Sequence, residues 1–443
     1  MEDGSYFCLQ IESFLLVRTL KMRRRPDRQQ PMYERIIDDR WTYRDAYTKD
    51  YTHCYHNYPA MMIPQIVRAL IAEYRPAGRL DTLFDPYMGS GTSLVEASIA
   101  GIDSVGIDIN PLACLISDVK TRHYDSLQIE KDYGRIAERI DKYSEKAVED
   151  TNFDRISNSG YWYSRDVLFK LSFLTQLVDA DVRTRDFFRV VLSEVVREAS
   201  FTRNGEFKRF RMPSSRIPAF HPDVFGMFRA KALRNMDGLR QYNSVALRPK
   251  VEVLRTDASV GMSASNIGPE SVDMVITSPP YGDSRTTVAY GQFSRWSNEW
   301  FGFDNARNLD NILMGGHKYD REIFETGSIR SELDSIRESD ARRFMEVISF
   351  LNDYWLSIRN VAAAVRHGGV VCYVVGNRTV KGVRISLDYF TAEMFEKCGF
   401  DHIRTIVRGI PNKRMPAKTS PTNIAGERVD TMNNEYIVIM RKI

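Results

Sequence analysis

Residues 80–120, LDTLFDPYMGSGTSLVEASIAGIDSVGIDINPLACLISDVK, constrain the fold of this chain more than any other stretch. An apolar segment ends in a glycine-rich turn, small and apolar residues follow at helical spacing, and a second apolar segment closes the unit. The pattern predicts a strand over 82–87, a turn at GSGT, a helix over Ser93–Ala100 and a second strand over Ser104–Ile109. Such a β-α-β unit implies a parallel sheet. Strand character returns in KVEVLRTDA (250–258), SVDMVITS (271–278) and GGVVCYVVGN (368–377), and again in HIRTIVR and NEYIVIMRK near the end. The expectation is an open, doubly wound α/β sheet. Long polar helices fill 123–245, with amphipathic segments around Leu168–Val178 and Phe187–Val196, and read as an insertion. The chain therefore divides into an extension (1–50), a first part of the sheet domain (51–122), the helical insertion (123–245) and a second part of the sheet domain (246–443).

The 443 residues can bury a sizeable core, and 43% hydrophobic with 27% charged residues is the balance of a soluble globular protein. The net charge of +4 does not by itself call for an anionic partner, so local clusters must carry that case. Five cysteines (Cys8, Cys54, Cys114, Cys372, Cys398) lie scattered with no Cys-x-x-Cys pair. That fits a reducing cytosol and gives no disulfide framework or thiolate metal site. HCYH at His53–His56 matches no usual zinc spacing, so no metal is expected. No run is long enough to span a membrane. IESFLLVRTLKMRRRPDRQQ places its apolar piece ahead of its basic cluster, the reverse of a secretory signal, and reads as a basic leader.

In DPYMGSGT, Gly89 and Gly91 allow a sharp turn and close approach to a ligand. Asp108 stands about 20 residues beyond at the tip of the second strand, placed for ribose hydroxyls. The three spaced glycines of a dinucleotide site and the lysine loop of a phosphate site are both missing. A nucleoside without phosphates fits better, and S-adenosylmethionine is the first choice, its cationic groups suiting Asp85. Asp257, after the third strand, would sit at the adenine edge with Ala258. Each of these acids could instead cap a turn or a helix. Three at successive strand ends favour a ligand, which in such sheets binds beyond the carboxyl ends.

TSPPY at 277–281 ends another strand on two prolines. The prolines hold this corner rigid between a serine and an aromatic ring. Two basic stretches suit phosphates. FTRNGEFKRFRMPSSR (201–216) has five basic residues against one acid, and RGIPNKRMPAK (408–418) has four and no acid. Taken alone, each stretch reads as a solvated face.

These residues resemble the S-adenosylmethionine-dependent amino-methyltransferases of DNA. DPYMGSGT is similar to their cofactor motif and TSPPY to their catalytic motif. HNYPAMMIPQIVRALI (56–71) resembles the segment that closes over the methionine part of the cofactor, and the resemblance spans roughly 50–443, including GIDINPLA, TRNGEFKRFRMP and IPNKRMP. It implies a Rossmann-like class I fold with a seven-stranded, mostly parallel sheet, and a cofactor site at Tyr58, Pro59, Asp85, Pro86, Gly89, Ser90, Gly91, Thr92, Asp108, Ile109, Asp257 and Ala258. The resemblance also implies that Ser278 Oγ and the Pro279 carbonyl, held by Pro280, accept from an amine and that Tyr281 offers a π-face to a base. It makes Arg203, Lys208, Arg209, Arg211, Lys413 and Arg414 candidate DNA contacts. The Ser-Pro-Pro-Tyr form goes mostly with N4 of cytosine, and the target base would be flipped from the duplex. N6 of adenine is the alternative; a transfer-RNA guanine-N2 enzyme and a DNA-binding pseudo-enzyme are more distant ones. The resemblance further implies double-stranded DNA as partner, room for a cognate restriction endonuclease, a monomer or homodimer, and a cytoplasmic, nucleoid-associated place of work. Tyr87 departs from the family's usual Phe.

Overall fold

The computed structural model describes residues 33–78, 80–148, 153–180, 183–203, 205–260, 267–283, 287–410, 418–419, 429–430 and 433–443. Its main sheet contains β1 (Arg35–Ile37), β2 (Thr82–Asp85), β3 (Asp103–Asp108), β4 (Val251–Arg255), β5 (Val272–Thr277), β6 (Val365–Val375), β7 (Phe400–Gly409) and β8 (Asn434–Lys442). The order across it is β1-β7-β8-β6-β5-β2-β3-β4. Strand β8 runs antiparallel to β6 and β7, and every other pairing is parallel. This is the doubly wound, mostly parallel sheet expected from the sequence, with eight strands where seven were expected.

The additional strand comes from the segment read as an extension. Arg35, Ile36 and Ile37 pair with Thr405, Ile406 and Val407, and the Arg35 guanidinium grips Asp388 with bonds of 2.7 and 2.8 Å. A three-residue edge strand is too short to show alternation in sequence, and its partners lie more than 350 positions away. The basic leader at 11–30 lies outside the described residues.

Neighbouring residues on the central strands point to opposite faces, as the pleat requires. Leu83, Met274, Ile276 and Cys372 pack toward α1 (Pro64–Tyr74), whereas Phe84, Val275 and Val371 pack on the other face. Helices α2 (Thr92–Ile99) and α3 (Pro111–Thr121) follow β2 and β3. Asn110 starts α3 by accepting from the Leu112 amide, with Pro111 pre-set for the first turn.

The helical block holds α4 (Ser126–Asp141), α5 (Arg165–Asp179), α6 (Arg185–Glu198) and α7 (Val224–Val245). Its core is not its own. Leu112 and Ile116 from α3 enter it, as do Trp296 and Trp300 from α8 (Tyr290–Trp300), a helix that follows the TSPPY corner in the chain. Helices α9 (Ala341–Ala364) and α10 (Leu387–Glu396) cover the face of the sheet that Phe84 and Val275 line. Among the described residues no helix is long and apolar enough to cross a membrane.

Helix α7 docks on the 3-10 turn Tyr51–Tyr55 through Gly238, where an added Cβ would lie 2.5 Å from the Tyr51 carbonyl oxygen. The Tyr242 hydroxyl on the same helix donates to Ser98 Oγ at 2.6 Å, tying the block to α2. Alanine at 238 gains helix propensity of up to ~1 kcal/mol. Overpacking against backbone costs about 1–3 kcal/mol. Gly238→Ala is therefore expected to lower the Tm in thermal unfolding; an unchanged or raised Tm would show that the helix can retreat freely.

Candidate active site

The carboxyl ends of β2, β3, β4 and β5 converge on one cleft, at the point where the strand order reverses between β2 and β5. It is a concave pocket lined by residues from all of these strand ends, the kind of surface that takes a small molecule. The glycine turn forms one wall. Gly89 has φ +48° and Gly91 φ +72°, a region that favours glycine. Gly89 borders the cleft, and its amide donates to Asp108 Oδ2 at 3.1 Å. Gly91 does not border it. A Cβ there would lie 2.8 Å from Ser117 Oγ, so this glycine lets α2 pack close to α3. Ser90 and Thr92 line the cleft, and the Ser90 carbonyl accepts from the buried Lys120 ammonium at 2.7 Å. Burial pulls Lys120 down to about 7.

The three aspartates expected at the strand ends all reach the cleft, and their carboxylates have different neighbours. Asp85 Oδ1 accepts from the Tyr87 amide (3.0 Å) and Thr277 Oγ1 (2.6 Å), and Oδ2 accepts from Ser93 Oγ. Burial nonetheless raises its carboxyl to about 6. The cationic partner expected for Asp85 is thus replaced by internal donors that bind the turn to the TSPPY strand. Asp108 takes backbone amides, those of Gly89 and Asn110 (2.8 Å) among them, and burial raises it likewise to about 6. Its lone pairs remain open toward the cleft. Asp257 Oδ1 caps its own turn through the Ser259 amide (2.8 Å) and hydroxyl (2.9 Å), the bland reading and the cleft position holding together.

Tyr58 and Pro59 form the opposite rim, joined by Pro86, Ile109 and Ala258. The Tyr58 ring stacks on Tyr290 with centroids 6.0 Å apart, and its hydroxyl accepts from Asn110 Nδ2 at 2.9 Å. Ala60 is held at φ +53°, a strained conformation for a residue with a Cβ, where the chain turns over the cleft. Met314 and Leu313 add apolar surface. Among the described lining residues there are three aspartates and no lysine or arginine.

Ser278 and Pro280 line the same cleft, while Pro279 is buried behind them. Tyr281 turns toward the start of β8. Its hydroxyl lies 3.2 Å from Ser278 Oγ and donates to Glu435 Oε1 at 3.0 Å. Its ring borders a separate small recess with Phe350 and Leu387, so the face expected to stack on a base is anchored at its phenolic end.

The basic stretch at 201–216 runs beside α8, whose first residue is Tyr290. Arg197 holds it by donating to the Glu206 carbonyl at 2.6 Å. Arg203 is exposed and pairs with Glu206 at 3.5 Å; Lys208 is half-buried. Arg209 folds inward, its guanidinium 4.7 Å from the Trp296 ring centroid and 5.5 Å from that of Trp162, and burial lowers it to about 10. Arg211 lies 4.2 Å over Tyr161 and donates to the Tyr161 carbonyl at 2.9 Å. These two arginines fix the loop by packing on aromatic rings. In the second stretch, Arg408 is a core residue at 4% exposure, whereas Lys413 and Arg414 lie outside the described residues.

Sequence reasoning missed Asn110 and Tyr290, which line the cleft, and the Glu435–Arg408 pair behind Tyr281. Asn110 could have been found from Asn-Pro at a strand-to-helix turn. Glu435 and Arg408 stand opposite each other across the β7–β8 ladder, a pairing visible only once strand register is known.

No family model matches the chain. The type II methyltransferase M.MvaI of Kocuria varians is 34% identical over 423 residues, covering 89% of this chain and 92% of that protein. The type II methyltransferase M.MjaII of Methanocaldococcus jannaschii is 42% identical over 81 residues, 18% of this chain and 15% of that protein. The solved rRNA methyltransferase aviRa of Streptomyces viridochromogenes overlays with a TM-score of 0.30 at 11% identity, over 87% of this chain and 86% of that chain, and no argument rests on it. With identity sustained along nearly the whole length of M.MvaI, the chain belongs to the type II DNA methyltransferases.

Proposed function

We propose that this DNA methyltransferase uses S-adenosylmethionine to methylate the exocyclic N4 amine of a cytosine flipped out of duplex DNA. One observation carries the reading: Ser278, a hydroxyl acceptor in a Thr-Ser-Pro-Pro-Tyr corner, lines the same cleft as Asp108 and the glycine turn. The residues fit the cofactor. A wall with three aspartates and no basic side chain suits a cationic nucleoside without phosphates. Asp108 would take the ribose hydroxyls, Gly89 and Ser90 would approach the methionine portion, and Tyr58 with Pro59 would close over it. Bound there, the cofactor supplies an electrophilic methyl group.

The amine of cytosine is a poor nucleophile because its lone pair is delocalised into the ring. Ser278 Oγ and the Pro279 carbonyl would accept its two N–H bonds and offset the positive charge that develops on nitrogen as it is alkylated. Pro279 and Pro280 fix φ, so these acceptors reorganise little. Ser278 sits inside the cleft, out of reach of a stacked base, hence base flipping at a cost of a few kcal/mol. Phosphate contacts from the flank at 201–216 would offset that cost.

Three outcomes follow. Duplex DNA treated with the enzyme and labelled cofactor, digested to nucleosides and separated by mass, is expected to contain N4-methylcytosine. Ser278→Ala is expected to lower kcat by roughly 10²-fold with cofactor affinity unchanged. N6-methyladenine as the sole product would transfer the same chemistry to the other amine and overturn the cytosine assignment.

Cofactor affinity is expected to depend on pH through Asp108, whose carboxyl is raised to about 6. Hydroxyl donors bind its ionised form, so below about 6 binding must first expel a proton. Calorimetric affinity should then fall by up to about tenfold per unit as pH drops through that value. Asp108→Asn should weaken binding at pH 7.5 and remove most of the slope; a full slope in the variant would place the proton elsewhere.

The flank divides by side-chain environment. Arg203→Ala is expected to weaken DNA binding across sequences and to reduce the salt slope by about 1. Arg209→Ala is expected to act chiefly by lowering the Tm, because its guanidinium is packed on Trp162 and Trp296. A drop in Tm for the first and none for the second would reverse these roles.

A further inference from the structure

A serine hydroxyl can donate or accept, and the proposed chemistry, on which this inference rests, needs it to accept. The corner does not decide this by itself, since the Ser278–Tyr281 contact at 3.2 Å is geometrically open to either donor. The groups behind it are not ambiguous. Arg408 can only donate. Its Nε and Nη2 bind Glu435 Oε2 at 3.0 and 2.8 Å, and its Nη1 donates to the Trp41 carbonyl at 3.0 Å. Glu435, ionised in that pairing, can only accept, so the Tyr281 hydroxyl must donate to Glu435 Oε1 across their 3.0 Å contact. The Tyr281 oxygen is then left with lone pairs only, so in the 3.2 Å contact Ser278 is the one partner with a proton to give.

We infer that Arg408 and Glu435 are positioning residues that set the direction of a hydrogen-bond relay, Ser278 to Tyr281 to Glu435, and thereby aim the lone pairs of Ser278 Oγ at the target amine. The relay is built into the sheet. Glu435 and Arg408 face each other across the β7–β8 ladder, and Arg408 is at 4% exposure. Trp41, whose carbonyl completes the arginine's set, belongs to the segment just after β1 and is itself at 2%. The edge strand that joins the fold ahead of residue 51 thus brings along the group that seats the head of the relay.

Glu435→Gln tests this at constant shape. Arg408, donor only, holds the amide oxygen toward itself and so turns the NH₂ toward Tyr281. The relay then runs backwards, with Tyr281 donating to Ser278 and the Ser278 proton meeting the substrate N–H. The expected result is a kcat at least about tenfold lower, with cofactor affinity and DNA affinity close to the parent and a lower Tm, because Arg408 loses its counter-charge. In a Tyr281→Phe background, which already lowers activity, the same Glu435→Gln change should cost less than about twofold more, because the link that transmits the reversal is gone. A role confined to bracing the strands would cost the same in both backgrounds, and that result overturns the relay. Unchanged kcat in Glu435→Gln overturns it as well. A parent enzyme that labels no DNA amine would instead remove the reading on which the relay rests.

Discussion

The site depends first on one buried carboxylate. Asp85 ends β2, yet its oxygens accept from Thr277 on β5, Ser93 on α2 and the amide of Tyr87 in the turn. A carboxylate taken out of water costs several kcal/mol, and the raised value of about 6 is the trace of that cost. Three donors offset it. An apolar residue of equal volume would pack without penalty, but it would leave the glycine turn and the TSPPY corner free to move relative to each other. Methyl transfer needs those two loops in register to a fraction of an ångström, and a hydrogen-bonded anion is directional where packing is not.

The same logic orders the rest of the cleft. Asp108 has backbone amides for partners and keeps lone pairs toward the cavity, whereas Asp85 has side-chain hydroxyls on both oxygens and is turned inward. Two aspartates at equivalent strand ends therefore differ: Asp85, buried at 2%, holds the protein together, and Asp108, only partly buried, is placed to meet a ligand. The difference lies in whether a hydroxyl-bearing residue, Thr277 or Ser93, faces the carboxylate.

Local pattern made much of this legible in the sequence. The β-α-β unit, the strands on either side of the helical block and the strand-end aspartates follow from alternation, glycine spacing and short-range turn chemistry, all of which operate within about 20 residues. What was hidden depends on partners far along the chain. β1 is three residues long and recognisable only by its pairing with Thr405–Val407. Tyr290 enters the cleft because α8 completes the core of a helical block encoded more than 45 positions earlier. Charge counts misled in one particular way: Arg209 and Arg408 were tallied as free cations, but aromatic rings and a cross-strand glutamate had already claimed them. A count of basic residues measures what could be exposed, and only tertiary packing says which ones are.

The Arg408–Glu435 pair raises the question of why an ion pair should be kept at a sheet position that apolar residues could fill. Removing either partner alone would strand a charge, but replacing both with apolar side chains is often neutral or stabilising, so stability gives the pair no reason to persist. Direction does. A hydrogen-bond chain that ended on a neutral hydroxyl or amide could flip as a unit, and Ser278 would then spend part of its time presenting a proton to an amine that has only protons to offer on that side. Ending the chain on a carboxylate clamped by a guanidinium makes one orientation strongly preferred. The polarity so imposed is indifferent to the ring that bears the amine, since cytosine N4 and adenine N6 present the same two N–H bonds. Discrimination between the bases must then come from the shape of the space around Ser278 and Pro280, and from side chains that touch the ring rather than its amine.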